Sequence, residues 1–385
     1  TAPCTLQSFA GALTGSYNVT RSDSMERKEN LRPTWAQVMW EHGYDTYAVL
    51  SNPYLDTVRL LHRGFAHYDY AGFKPFPAAV HFYDTAWYFA TRGGAFKPEV
   101  PGTTSRRLTE KTLAVLSKKT RRPKFVWVHY LDPHYPYQPT DAVLRESAPD
   151  LLSKKAYGTN RGKLDVKNVT TLKALYDYEV KSTDGYVARL LTEINARRNT
   201  LVIISSDHGE EFAEHGQFEH RKTLYDEVIR VPLIISLPEG DRLPARRVST
   251  PVSLTDVAPS TLAYLGFNVP GTMEGRTDII VGNAPEERKV CAALWHPNGY
   301  FLATLTTADK KVIEKIKDRE TTFEYFDLRE DPGERKPLPL DAVGEELRDE
   351  LTAWVAGHVD FRESGVGETR ILGGRADLKA LGYVR

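Results

Sequence analysis

The sequence is short of most features that assign a chain by composition alone. Of its 385 residues only Cys4 and Cys291 are cysteine, enough for at most one disulfide and too few for a cysteine-based metal or redox motif. It has no excess charge of either sign: 51 Lys plus Arg balance 51 Asp plus Glu, which removes the electrostatic reason to expect nucleic acid or an anionic membrane as the main partner. It has no long hydrophobic run either; a pure apolar stretch such as 201–204 is far below the roughly 18 residues of a membrane span. The chain opens at Thr1 without an initiator Met, on a polar stretch that reads as turn, with neither a signal peptide nor a strand before it. Compartment is therefore left open. What remains is 41% hydrophobic and 26% charged, a globular balance sufficient for one large domain and a smaller one.

Apolar strand-like runs alternate with amphipathic helical ones over most of the chain, predicting an α/β fold with a mainly parallel central sheet sandwiched by helices. A helix over 34–42 stops at Gly43 and leads into a strand over 45–50. Thr103 or Thr104 caps a helix to about residue 119, with Leu108, Leu113, Val115 and Leu116 on its buried side, and 125–130 follows as a strand. The longest helical pattern runs from about 170 to 197. It feeds 200–205, which with 231–236 is apolar on both faces, as expected within a covered parallel sheet. After about residue 285 short strands at 289–295, 300–306, 311–316 and 322–328 precede a helix at 343–358. This predicts a domain over 1–285 and an antiparallel sheet-plus-helix subdomain over 286–385. The basic cluster Lys118, Lys119, Arg121, Arg122 and Lys124 reads as a solvated turn near a helix C-terminus, where cations are favoured.

Chemistry concentrates in 205–232, SSDHGEEFAEHGQFEHRKTLYDEVIRVP. Asp207 and His208 lie just past the carboxyl end of a predicted strand, where open α/β sheets place their sites. His220 follows thirteen residues after Asp207, with His215 between. Histidines and carboxylates in one loop suit a divalent metal with mixed oxygen and nitrogen ligands.

The Ser-Asp-His-Gly-Glu run, His220, Leu224-Tyr225-Asp226-Glu227 and Arg230-Val231-Pro232-Leu233 together resemble the sulfatase family of the alkaline phosphatase superfamily. The stretch from Ala2 to Gly15 is similar to that family's nucleophile segment, and His129 through Asp132-Pro133-His134-Tyr135-Pro136-Tyr137 to its substrate-binding histidine loop. Phe326-Asp327-Leu328, Asp331-Pro332-Gly333-Glu334 and the closing LKALGYV resemble its C-terminal signatures, so the resemblance spans nearly the whole chain.

The resemblance implies an alkaline-phosphatase-like fold and places the nucleophile at Thr5. Cys4 is one residue early for a formylglycine precursor, and Leu6 and Ser8 replace the Pro and Arg that such a motif requires. Thr5 instead resembles the threonine nucleophile of phosphoryl-transferring branches. The implied cofactor is one or two divalent ions (Ca, Mg, Mn or Zn) held by Asp207, His208 and the Thr5 oxygen. His134 and His220 would stabilise charge or protonate the leaving group, and Arg221 and Lys222 lie near the family's substrate-binding cation. The family also carries acidic ligands on a strand before the nucleophile, so the chain reads as a segment of a longer product. The leading expectation is a hydrolase of a small-molecule, glycan or lipid-linked sulfate or phosphate ester. A phosphoethanolamine- or phosphoglycerol-type transferase and a non-catalytic anion- or carbohydrate-binding member are the alternatives.

Overall fold

The computed structural model describes residues 2–17, 32–52, 55, 61–71, 103–135, 137, 166–195, 197–241, 243–282, 287–296, 299–318 and 320–359. The closing segment 378–384 lies outside them. The first elements are α1 (Thr5–Thr14), α2 (Trp35–Glu41), β1 (Asp45–Leu50), β2 (His67–Tyr70), α3 (Thr103–Ser117), β3 (Lys124–His129) and α4 (Val166–Asn195). There follow β4 (Val202–Ser205), β5 (Glu211–Phe212), β6 (Phe218–Glu219), the single turn α5 (Asp226–Ile229), β7 (Leu233–Ser236) and α6 (Val257–Tyr264). The chain then forms β8 (Val290–Trp295), β9 (Phe301–Thr306), β10 (Lys310–Lys317), β11 (Glu320–Asp327) and α7 (Ala342–His358). No helix among the described residues is long and apolar enough to cross a membrane. The fold is α/β, with a parallel sheet and helices and a C-terminal antiparallel sheet with its helix. It divides into two compact units, Met39–Thr200 and Thr1–Val38 with Leu201–Arg385.

In the Met39–Thr200 unit, β1 lies between β2 and β3 and runs parallel to both. Val49, Ala71 and Leu108 form a buried cluster with Val115 and Tyr130 against it, so α3 covers this sheet with the apolar side expected from its sequence. α4 packs in turn on α3. The basic turn is structural: the Lys124 ammonium donates to the Leu116 carbonyl at 2.9 Å and to Lys118 O at 2.5 Å, meeting carbonyls at the C-terminal end of α3.

The other unit opens with a correction. Residues 5–14 are a buried α-helix rather than a turn, with Leu6, Ala10 and Leu13 inside and Gly15 (φ +62°) closing it in the left-handed conformation. Its small hydroxyl residues are weak helix formers in isolation, but Ser8 Oγ donates to Ala2 O and Thr14 Oγ1 to Ala10 O, so burial leaves these hydroxyls satisfied. A second correction concerns β4 and β7. They pair with each other antiparallel, Ile203 opposite Ile235, and Ile234 is 58% exposed. An apolar run does not encode strand direction, and here the long intervening loop brings the chain back beside itself.

The C-terminal strands form an antiparallel sheet in the order β11-β10-β9-β8, and strand alternation divides its side chains cleanly. Cys291, Ala293, Phe301, Ala303, Leu305, Val312 and Tyr325 pack with Leu347, Leu351 and Val355 of α7. Ala292, Leu294 and Leu302 face the other way and pack with Ala2, Cys4 and Leu224. This sheet therefore supports the start of α1.

Glu314 breaks the apolar pattern of β10. It is opposite Ala303, 4% exposed, and its Oε2 has no hydrogen-bond partner. Burial pushes its carboxyl from the ordinary 4.5 up to about 7. Between those values the folded chain keeps a proton that the unfolded chain has released, so this group makes stability fall as pH rises, by on the order of 3 kcal/mol in all. Glu314→Gln is expected to remove that slope, gaining on the wild type between pH 5 and pH 8 in urea unfolding. Parallel pH dependences would contradict the assignment.

Candidate active site

Thr5 is the first residue of α1, after the extended N-cap Cys4, and its Oγ1 lies 3.3 Å from His208 Nε2. His208 Nδ1 faces the Gly209 carbonyl at 2.9 Å, a contact that orients the ring with Nε2 toward Thr5. Asp207 Oδ2 is 3.5 Å from the same Nε2. Thr5, Asp207 and His208 are all largely buried. Gly209 permits this turn: a Cβ there would fall 2.1 Å from the Glu227 carbonyl oxygen, and the Gly209 N–H donates to Val228 O.

A carboxylate oxygen of Asp207 and Nε2 of His208 thus face each other beside a hydroxyl, all on largely buried side chains. A cation relieves that arrangement, and one carboxylate oxygen, one imidazole nitrogen and one hydroxyl oxygen are a donor set suited to a divalent ion. These residues fit the expected metal.

His220 joins them. Its ring stacks on His208 with centroids 3.9 Å apart, and its Nδ1 is 2.9 Å from Glu210 Oε1, so a buried carboxylate orients it. The residues on either side of it, Glu219 and Arg221, hold positive φ (+66° and +70°), local strain that fixes where His220 and Arg221 emerge. Lys222 turns its ammonium to the Phe218 carbonyl and lies 3.7 Å from Glu219. Burial pushes the Cys4 thiol up to about 11, with the Arg221 guanidinium opposing, so Cys4 is a protonated packed thiol at neutral pH.

The third loop histidine does something else. His215 Nδ1 is 2.6 Å from Glu227 Oε1 and its Nε2 is 2.8 Å from the Glu334 carbonyl, so both nitrogens face acceptors, an arrangement that favours the protonated ring. Burial lowers its pKa, but these contacts outweigh burial and raise it. Both ring nitrogens of His215 are thus engaged within the protein. Among the described residues Glu211, His215 and Glu227 are grouped closely enough to hold an ion. Glu211 is already taken, however, accepting from the N–H groups of His215 and Gln217 and from the Thr223 hydroxyl. The cluster is a loop clamp.

That clamp continues into the C-terminal sheet. His215 stacks on Tyr225, whose hydroxyl donates to Glu324 Oε2. The Asp226 N–H donates to Glu334 Oε2, and the fully buried Lys311 ammonium lies 2.9 Å from Asp226 Oδ1 and 2.6 Å from Glu334 Oε1. Sequence reasoning noted the segments around Tyr225 and Glu334 but assigned them no role, and missed Glu210, Glu211 and Lys311. Lys311 carried little signal of its own, since β10 also contains Lys310, Lys315 and Lys317.

His134 lies in the Met39–Thr200 unit. Its Nδ1 faces the Tyr135 carbonyl and its N–H donates to Leu131 O. Nearby Asp132 accepts from the Ser105 N–H at the start of α3, and burial raises its carboxyl pKa.

The profile described as Sulfatase matches residues 1–267, and that of the N-sulphoglucosamine sulphohydrolase C-terminal region matches 213–358. An uncharacterised sulfatase, YidJ of Escherichia coli K12, is 26% identical over 285 residues, 67% of this chain and 56% of that protein. The chain spans about half the length of the curated relatives it matches. Among solved structures, a protein in complex with its substrate D-glucosamine-2-N,6-O-disulfate superposes with a TM-score of 0.63 at 17% identity, over 95% of this chain and 90% of that one. The phosphonate monoester hydrolase of Silicibacter pomeroyi gives 0.64 at 19% identity, over 91% and 85%. At such identities the two structures speak to the fold alone, and the profile match over more than half of the chain carries the assignment: this chain belongs to the sulfatase family.

Proposed function

We propose that the chain is a metal-dependent hydrolase that cleaves a sulfate or phosphate ester through a covalent intermediate on Thr5. The observation that carries this reading is the 3.3 Å contact between Thr5 Oγ1 and His208 Nε2 at the buried N-terminus of α1. Members of the sulfatase family typically bind a divalent metal. Asp207, His208 and the Thr5 oxygen would hold such an ion, which would supply Lewis acidity at the nucleophile and the ester.

The chain's own groups supply the rest. Thr5 gives up its hydroxyl proton to solvent, and Oγ1 attacks sulfur or phosphorus in line as the ester oxygen departs and takes up a proton. The first-turn N–H groups of α1 face the nucleophile end of the helix, where their partial positive charge favours an oxyanion. His220, oriented by Glu210, is positioned to neutralise developing charge or to protonate the leaving group. Water then releases the Thr5 ester. Release to an alcohol would make the same site a transferase, and an acceptor-dependent product would reveal it.

The test is turnover of aryl sulfate, aryl phosphate and phosphodiester substrates together with bound-metal content. Chelation is expected to remove at least about tenfold to a hundredfold of the activity on the preferred ester, and a divalent ion to restore it. Metal-loaded protein inert on all three esters would count against the hydrolase reading.

A further inference from the structure

His220 stands just past a hairpin with little sheet to hold it. β5 and β6 are two residues each, joined by Glu211 opposite Glu219 and Phe212 opposite Phe218. Ala213, Glu219 and Arg221 hold φ of +66°, +66° and +70°, a conformation that strains any side chain beyond glycine. Contacts from outside the hairpin must offset that strain. At its tip the Arg335 guanidinium donates to the Glu214 carbonyl, and His215 reaches Glu227 Oε1 at 2.6 Å and the Glu334 carbonyl at 2.8 Å.

These two His215 contacts together fix a proton count. A carbonyl only accepts, so the second contact needs a proton on Nε2. The first then needs a further proton between Nδ1 and the carboxylate, on either partner. Without it a ring lone pair faces a carboxylate oxygen across 2.6 Å, on side chains only 11% and 18% exposed, where water screens little of the repulsion. The surrounding groups favour keeping that proton. Glu211 on β5 accepts the His215 N–H at 3.0 Å, and Glu214 accepts the Phe212 N–H. Tyr225, stacked on the His215 ring, donates to Glu324, and Lys311 is held between the Asp226 and Glu334 carboxylates. Carboxylates thus prevail over Lys311 and Arg335. Burial lowers the His215 pKa, but Glu227, the Glu334 carbonyl and Glu211 together raise it above the ordinary 6.5.

We propose that His215 is a positioning residue for His220, and that the hairpin presents His220 correctly only while the His215–Glu227 pair keeps its proton. The clamp is complete on the acid side of the pair's titration and is lost as pH rises through it. The strained hairpin then relaxes, and the stacking of His220 on His208 goes with it. The inference rests on the ester-cleaving reading for its kinetic consequence alone, since the proton and the order of the hairpin are read without turnover.

The experiment compares wild type, Glu227→Gln and His215→Phe in the full metal-loaded chain from pH 6 to pH 10. A carboxamide at position 227 donates to an unprotonated Nδ1 while Nε2–H still reaches the Glu334 carbonyl, so Glu227→Gln keeps both contacts with a neutral ring. Three quantities are measured: the ring nitrogen NMR signals of His215, identified by their loss in His215→Phe; amide hydrogen exchange over 211–221, corrected for its intrinsic pH dependence; and kcat/KM on the preferred ester. In the wild type the His215 signals are expected to step above pH 6.5, with hairpin exchange rising and kcat/KM falling through the same step. Glu227→Gln should keep the hairpin protected and move the alkaline fall upward by about one pH unit or more, or abolish it. His215→Phe should lose about tenfold or more at every pH. If Glu227→Gln does not fold, coincidence of the NMR and exchange steps in the wild type decides. Absence of turnover with those two steps intact would strike the hydrolase reading alone. A His215 step at or below pH 6.5, hairpin exchange indifferent to that step, or an unchanged alkaline fall in folded Glu227→Gln would overturn the assignment.

Discussion

Thr5→Ala is expected to lower turnover of the preferred ester by about a thousandfold or more while leaving the fold intact. The first half follows from position: the hydroxyl lies 3.3 Å from His208 Nε2, itself 3.5 Å from Asp207 Oδ2, and alanine removes the atom that would form the covalent ester. The second half follows from local structure. Position 5 is the first residue of a helix, alanine is the best helix former, and the side-chain hydrogen bond given up is the 3.3 Å contact with His208. Thr5→Ser keeps a hydroxyl at the same site, primary in place of secondary, and should retain measurable turnover. Steady-state kinetics beside thermal unfolding of the three proteins check this. Turnover of the alanine variant within tenfold of wild type would remove Thr5 from its assigned role.

Lys311→Met should be the most damaging single change to stability outside the apolar core, at about 3–5 kcal/mol. The ammonium is fully buried between Asp226 and Glu334, and the Glu334 side chain is itself completely inaccessible. Methionine fills similar volume, so the loss is electrostatic: two carboxylates remain facing each other with nothing between. Burial already raises the Glu334 pKa against the pull of Lys311, and removing the lysine raises it further. The carboxyl then escapes part of the penalty by binding a proton. The destabilisation should therefore be smaller at pH 5 than at pH 8, and Glu334→Gln added to Lys311→Met should recover part of it. Urea unfolding at both pH values measures this; a loss below about 1 kcal/mol at pH 8 would show that the triad contributes little.

Much of the fold was legible because its signals are local. The four C-terminal strands and α7 fall within one or two residues of their expected limits, since each strand alternates between two buried layers and Asp341 accepts from the Gly344 N–H to cap the helix. The opening helix was not, because Ser8 and Thr14 are helix-neutral until burial gives their hydroxyls backbone partners. The antiparallel pairing of β4 with β7 was not either, since direction is set by where the loop returns rather than by the apolar run. At the site, the spacing of Asp207, His208 and His220 announced chemistry, and the structure brings Thr5, two hundred residues away, within 3.3 Å of His208. Spacing gave no means of telling His215 from its two neighbours. That distinction depends on Glu227 and on the Glu334 carbonyl, which only the folded C-terminal sheet delivers.

The most direct measurement is rapid quenching of the metal-loaded protein with its ester substrate, followed by peptide mapping by mass spectrometry. A sulfo or phosphoryl group on Thr5, appearing within the first turnover and absent from Thr5→Ala, is the expected result. Turnover with the label on another residue, or with no covalent label at any quench time, would contradict the proposal that Thr5 is the nucleophile.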